Sequence, residues 1–236
     1  MIKTKSLKRT VDSKVLFTKI DLELPSNKIT GLLGANGAGK TSLFRAIAGL
    51  SGIDSGELTF FDKDLLDMTL EERATAGLCY VPQENSLFED LTLLENLIAV
   101  IELKFRHITE KKIKETESLL KKMNLFEKRD IKAKNLSGGE KRKTEILRAI
   151  LLESKFILLD EPFAGVDPIS VEEINKILKD LKKHVGIFIS DHNFRDVINV
   201  CDLIVLLNQG EVLMQGTPNE VKNDPIAKKF YFGELN

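Results

Sequence analysis

Residues Gly34 to Ser42 read Gly-Ala-Asn-Gly-Ala-Gly-Lys-Thr-Ser, three glycines ahead of a lysine and two hydroxyls. Glycine in a strand-to-helix turn costs backbone entropy, so the stretch needs something to offset that cost. A phosphate does so. The spacing Gly34-x-x-x-x-Gly39-Lys40-Thr41 is that of a loop whose backbone N–H groups converge on the β-phosphate of a nucleotide. Asn36, Gly37, Ala38 and Ser42 belong to the same cradle. In such a loop Lys40 reaches the β- and γ-phosphates and the Thr41 hydroxyl holds Mg²⁺. The helix that follows adds about half a positive charge at its N-terminus.

Two further stretches carry what hydrolysis of a nucleotide requires. Phe156 to Leu159 are apolar and form a strand that delivers Asp160 and Glu161 at its carboxyl end, where α/β sheets bind their ligands. Asp160 is suited to take Mg²⁺ through water, and Glu161 to orient or deprotonate the attacking water. Leu136-Ser137-Gly138-Gly139-Glu140 opens another helix through a glycine-rich turn. A second anion-binding helix N-terminus makes chemical sense if Ser137, Gly138 and Gly139 cap a nucleotide held by another copy of the chain.

These groups need a parallel sheet to position them. The chain starts with strand-like "IKTKSLKR", "VLFTKIDLEL" and "KITGLLG", and the alternation of Ile20, Leu22 and Leu24 marks a half-buried antiparallel strand. Thr69-x-x-Glu72 opens a short helix with a capping box, and "GLCYVPQ" returns as a buried strand. From about Leu91 to Glu153 the pattern is helical, with Ile113, Leu120 and Met123 toward one face. The final third alternates strand and helix. There Ser170-x-x-Glu173 opens "VEEINKILKDLKK", a hairpin turns at Asn208-Gln209-Gly210, and Thr217-Pro218-Asn219-Glu220 caps a last helix. Strands alternating with helices after a phosphate loop imply a parallel α/β sheet.

The bulk composition narrows the partners. At 236 residues the chain suits one large domain or a core with an inserted subdomain. Its 35 Lys and Arg against 36 Asp and Glu give a net charge of −1, with no basic field to draw in nucleic acid. The Lys-rich helical stretch interleaves glutamates and has no aromatic platforms, so it reads as a solvated face. Cys79 and Cys201 match no metal or redox spacing and read as reduced core thiols. No signal peptide and no membrane-length apolar run is visible, so a cytoplasmic protein is expected, reaching a membrane only through partners.

In their order and spacing these motifs resemble the ATP-binding cassette (ABC) ATPases, over essentially the whole length. The resemblance implies an α/β P-loop NTPase: a RecA-like parallel-sheet core, an N-terminal antiparallel β-subdomain and an inserted α-helical subdomain. Residues 1–88 and 146–236 would form the core and 89–145 the helical part. It implies ATP and Mg²⁺ as cofactors, Gln83 of "YVPQ" as the Q-loop glutamine on Mg²⁺, Asp167 of "AGVDP" as the D-loop residue at a dimer interface, and His192 of "ISDHN" as the switch histidine on the γ-phosphate. Members carry an aromatic residue against adenine near the N-terminus; here that position falls on Val11, with Phe17 the only aromatic nearby. The basic run Lys141-Arg142-Lys143 also departs from the commoner Gln or Arg.

"DEPFAGVDPISV", "SDHNFRDVINVCD" and "KKFYFGE" are most similar to the ATPases of lipopolysaccharide-export (Lpt) systems. Branched-chain amino-acid importer ATPases, which usually have Glu-His at the switch, are the alternative. The likeness implies a homodimer on two transmembrane permease subunits of the LptF/LptG kind, peripheral on the cytoplasmic face of the inner membrane. A soluble ABC protein acting on DNA or ribosomes would carry two cassettes or a long coiled coil, and this chain has one cassette and no sustained heptads. Leu87 and Phe88, an apolar pair between Glu84-Asn85 and Glu89-Asp90, follow Gln83 where such ATPases receive their membrane subunits. They are expected at that interface.

Overall fold

A computed structural model describes residues 1–105 and 107–228. The "KKFYFGE" stretch therefore lies, after Lys228, outside the described residues. The chain begins as a hairpin of β1 (Ile2–Val11) and β2 (Lys14–Leu24). Asp12 and Ser13 turn it, with φ of 47° and 65°, the left-handed conformation that matches the twist of paired strands. On β2 the alternation holds: Ile20, Leu22 and Leu24 are buried while Asp21 and Glu23 face out.

β3 (Ile29–Leu33) follows, buried at every position, and α1 (Lys40–Ala48) leaves from the glycine-rich turn after it. Next come β4 (Ser55–Phe60), β5 (Lys63–Asp64), α2 (Leu70–Ala76) and β6 (Leu78–Val81). Helices α3 (Leu93–Phe105), α4 (Glu110–Lys122) and α5 (Gly138–Leu151) then run consecutively. The chain returns through β7 (Phe156–Asp160), α6 (Pro168–Leu181), β8 (Gly186–Asp191), α7 (Phe194–Val200), β9 (Leu203–Asn208), β10 (Glu211–Gly216) and α8 (Pro218–Asn223).

Two sheets result, as expected: an antiparallel one ordered β2-β1-β4-β5 and a six-stranded one ordered β10-β9-β3-β8-β7-β6. All pairs of the second are parallel except β10 with β9. Register across its centre aligns Leu33 with Asp191 and Asp160 with Ser190. The carboxyl ends of β3, β7 and β8 therefore finish together, which is where the chemistry collects.

One apolar core lies between the sheets around α1, anchored by Phe44 stacked on Phe188 at 4.6 Å between centroids. A second lies on the other face of the large sheet against α5, α6 and α7. A third belongs to the helical segment, with Leu93, Leu97, Leu120 and Leu147. Since Ile146 joins the second core and Leu147 the third, α5 is shared, and a boundary at residue 145 runs through a continuous helix.

Several local expectations are corrected. α6 starts at Pro168 with Asp167 as its cap; Ser170 N–H donates to Asp167 Oδ1 at 3.0 Å. An Asp-Pro start outcompetes a serine two residues inside the helix. β6 is an edge strand, so Cys79 and Tyr80 are only half-buried. Ile113 is 45% exposed because the buried stripe of α4 begins one turn later, at Thr116 and Leu120.

Arg73 shows how buried polarity is handled here. It is 4% exposed, and its guanidinium donates to the carbonyls of Ala46 and Ile47 at the end of α1, and to Leu65 and Met68. Removing it strands several buried acceptors at once. Arg73→Ala is expected to lower unfolding free energy by about 3 kcal/mol, since each unsatisfied buried group costs ~1–3 kcal/mol. Chemical denaturation checks this, and a loss below ~1 kcal/mol would mean that water replaces the guanidinium.

Candidate functional site

A cleft of about 740 Å³ sits at those strand ends, lined by Asn36, Gly37, Gly39, Lys40, Thr41 and Ser42, with Gln83, Glu161 and His192 opposite. Gly39 has φ 104°, and a Cβ there would lie 2.5 Å from the Leu16 carbonyl oxygen, so only glycine fits between this turn and β2. Gly37, at φ 81°, faces open space with nothing within 4 Å of where a Cβ would be. Gly34 and Ala38 are buried beneath the turn.

The buried Lys40 ammonium donates to the carbonyls of Gly34 at 2.6 Å and Ala35 at 3.2 Å. Burial pushes its pKa down, against the pull of Glu161, Asp191 and Asp160. A cation held by two loop carbonyls can exchange them for phosphate oxygens. The cradle fits a polyphosphate.

Mg²⁺ fits as well. Among the described residues no cluster of three His, Cys, Asp or Glu could hold a metal ion by itself. Mg²⁺ does not require one, because it binds through one or two carboxylates and completes its shell with water and phosphate oxygens. The Thr41 hydroxyl, the Gln83 amide oxygen and the Asp160 carboxylate are hard donors of that kind.

Asp160 is fully buried. Its Oδ1 accepts from the Ser190 hydroxyl, its Oδ2 from the Tyr80 hydroxyl at 3.1 Å, and its backbone carbonyl from Arg142 Nη2 at 2.7 Å. Burial first, and then Asp160, push the Tyr80 phenol pKa up, so it stays a donor. Glu161 has φ 44°, a left-handed conformation in which a residue other than glycine is strained. Its N–H donates to the Ser190 carbonyl at 2.9 Å. Glu161 Oε2 accepts from Gln83 Nε2 at 3.0 Å and lies 3.4 Å from His192 Nδ1. Three separate strand ends thus bring Gln83, Glu161 and His192 into one contact. Asp191 lies beside them, with Oδ1 3.7 Å from His192 Nδ1 and Oδ2 buried without a partner among the described residues. Burial raises its pKa.

Other expected site residues lie elsewhere. Ser137, Gly138, Gly139 and Asp167 do not line this cleft. Ser137 caps α5 in a capping box with Glu140, and Gly139 lies so close to α6 that a Cβ would come within 2.2 Å of Ser170 Oγ. Asp167, which caps α6, has its carboxyl pKa lowered by hydrogen bonds from Ser170. Val11, the position expected to face adenine, is exposed and pairs with Lys14, which lines the cleft. Phe17 is fully buried. Lys14, Val15, Leu16 and Gln209 complete the wall.

The pair Leu87–Phe88 also separates. Leu87 is 6% exposed and packs into the helical core, so it is withdrawn as a contact residue, whereas Phe88 is 52% exposed. Asn96, fully buried, holds the Phe88 backbone by accepting from its N–H at 2.8 Å and donating to its carbonyl at 3.0 Å. The Arg148 guanidinium lies over the Phe88 ring, 5.6 Å from its centroid.

Known proteins are similar throughout. The ABC transporter family matches over residues 17–164. The lipopolysaccharide export system ATP-binding protein LptB of Haemophilus influenzae is 40% identical, covering 99% of this chain and 98% of its own. LptB of Escherichia coli (strain K12) is 38% identical over 98% and 96%. An ATP-binding cassette of an ABC transporter, solved in its ADP conformation, superposes with a TM-score of 0.88 at 26% identity, covering 99% of both chains. Among the described residues no helix is long and apolar enough to cross a membrane. With a phosphate cradle, a buried Asp160 and a Glu161–Gln83–His192 cluster on this fold, the chain belongs to the ABC transporter family and is one of its ATP-binding, ATP-hydrolysing cassettes.

Proposed function

We propose that this chain is the ATPase subunit of a lipopolysaccharide-export transporter. It would act as a homodimer with Mg²⁺, bound to two transmembrane subunits of the LptF/LptG kind on the cytoplasmic face of the inner membrane. The full-length similarity to LptB at 38–40% identity carries this reading. The branched-chain importer alternative has no comparable support.

In this reading Lys40 and the N–H groups of Asn36, Gly37, Ala38 and Gly39 bind the phosphates, and Thr41, Gln83 and Asp160 hold Mg²⁺. When bound, that ion neutralises charge on the phosphate oxygens as the terminal bond breaks. Glu161 Oε2 accepts the proton of the attacking water, and His192 contacts the γ-phosphate. Ser137, Gly138 and Gly139 reach the nucleotide of the partner copy, supported by their position away from the chain's own cleft. The helical part (residues 89–145) acts as the unit that carries them.

Phe88 is the anchor for the membrane subunits: exposed, aromatic and held on a fixed backbone. Anchors of this kind contribute about 2 kcal/mol or more, roughly 30-fold in affinity. Phe88→Ala is expected to keep its melting temperature and basal ATPase but lose co-purification with the membrane subunits and extraction of lipopolysaccharide from membranes. A large fall in melting temperature with normal assembly would assign Phe88 to the core. Failure of the wild-type complex to extract lipopolysaccharide would overturn the cargo.

A further inference from the structure

We propose that Tyr80 is a positioning residue for Asp160, its phenol hydroxyl fixing the carboxylate that receives Mg²⁺; this rests on the reading of Asp160 as the metal carboxylate. The carboxylate is gripped from both neighbouring strands. Ser190 of β8, in register with Asp160, donates to Oδ1. Tyr80 of β6, in register with Leu158, reaches past the strand end to donate to Oδ2 at 3.1 Å. Each oxygen gives up one lone pair to a hydroxyl, so the plane of the group is set while further lone pairs remain for an ion.

The type of donor matters as much as its place. A lysine or arginine here would neutralise the charge that a dication needs, whereas two hydroxyls orient it and leave it intact. Arg142, a cation that reaches this strand, donates to the Asp160 backbone carbonyl, to Pro82 O and to Glu145, not to the carboxylate. Asp160 is fully buried in the chain, so its orientation rests on donors that the fold itself fixes. Tyr80 also stands three residues before Gln83. One short segment thus supplies both a proposed ligand and the outer-shell donor that aims another.

A half-buried phenol that merely satisfies its own hydrogen bond is the competing account, and Mg²⁺ dependence separates the two. Binding of a non-hydrolysable ATP analogue is measured in EDTA and across a Mg²⁺ titration for the wild type, Tyr80→Phe and Asp160→Asn, with melting temperatures alongside. Outer-shell partners of metal ligands typically set 10–100-fold in affinity. Tyr80→Phe is expected to leave the EDTA affinity and the fold unchanged and to raise the half-saturating Mg²⁺ about 10-fold. Wild-type Mg²⁺ dependence in Tyr80→Phe, with Asp160→Asn impaired, would overturn the role of Tyr80. So would an equal loss of affinity in EDTA and in Mg²⁺, the mark of a purely structural defect. Wild-type Mg²⁺ dependence in Asp160→Asn would instead overturn the reading on which the proposal rests.

Discussion

Glu161→Gln is expected to cut ATP turnover by roughly 10²–10⁴-fold, the range a positioned general base supplies, while ATP remains bound. The amide keeps the shape of the side chain and its place beside Gln83 and His192, 3.0 Å and 3.4 Å away in the wild type. It cannot take the proton of water. Binding without hydrolysis should then hold two copies together around the trapped nucleotide. Size-exclusion chromatography in ATP and Mg²⁺ is expected to show a stable dimer for the variant and a mixture for the wild type. Turnover near the wild-type rate would remove Glu161 from the chemistry. A variant that stays monomeric in ATP would remove the sandwich, and with it the role given to Ser137-Gly138-Gly139.

Lys40→Ala attacks binding rather than chemistry. The ammonium donates to two carbonyls of its own loop, at 2.6 Å and 3.2 Å, and in the proposed reading it exchanges these for phosphate oxygens when nucleotide enters. Charge-assisted hydrogen bonds contribute ~1.5–3 kcal/mol each. Two of them make about 4 kcal/mol, close to a thousand-fold in ATP affinity. The apo fold should tolerate the change, because the lost group is a desolvated cation whose burial is itself unfavourable. Equilibrium binding and thermal melting check both halves. Unaltered ATP affinity would count against the loop as a phosphate site, and a collapsed melting temperature would make the lysine a structural strut instead.

What the linear sequence determined was local in origin. Gly34 to Ser42 carries its function within nine consecutive residues, because a phosphate cradle is made of neighbouring backbone amides and one lysine. "FILLDEP" likewise announced a buried strand with two acids at its end. The alternation of strands and helices was enough to anticipate the parallel sheet and the helical segment, since amphipathic period and capping residues act over a single turn or strand; the separate antiparallel sheet was implied by the family resemblance.

Tertiary structure decided what depends on register and side-chain direction. Tyr80 and Asp160 are 80 positions apart, and Asp160 and Ser190 are 30 apart; only the order β8-β7-β6 makes them neighbours. The pinning of Phe88 by Asn96 separated it from buried Leu87. Leu87 and Phe88 are adjacent and share local propensity but differ in which way they point. That direction is set by contacts between strands and helices far apart along the chain.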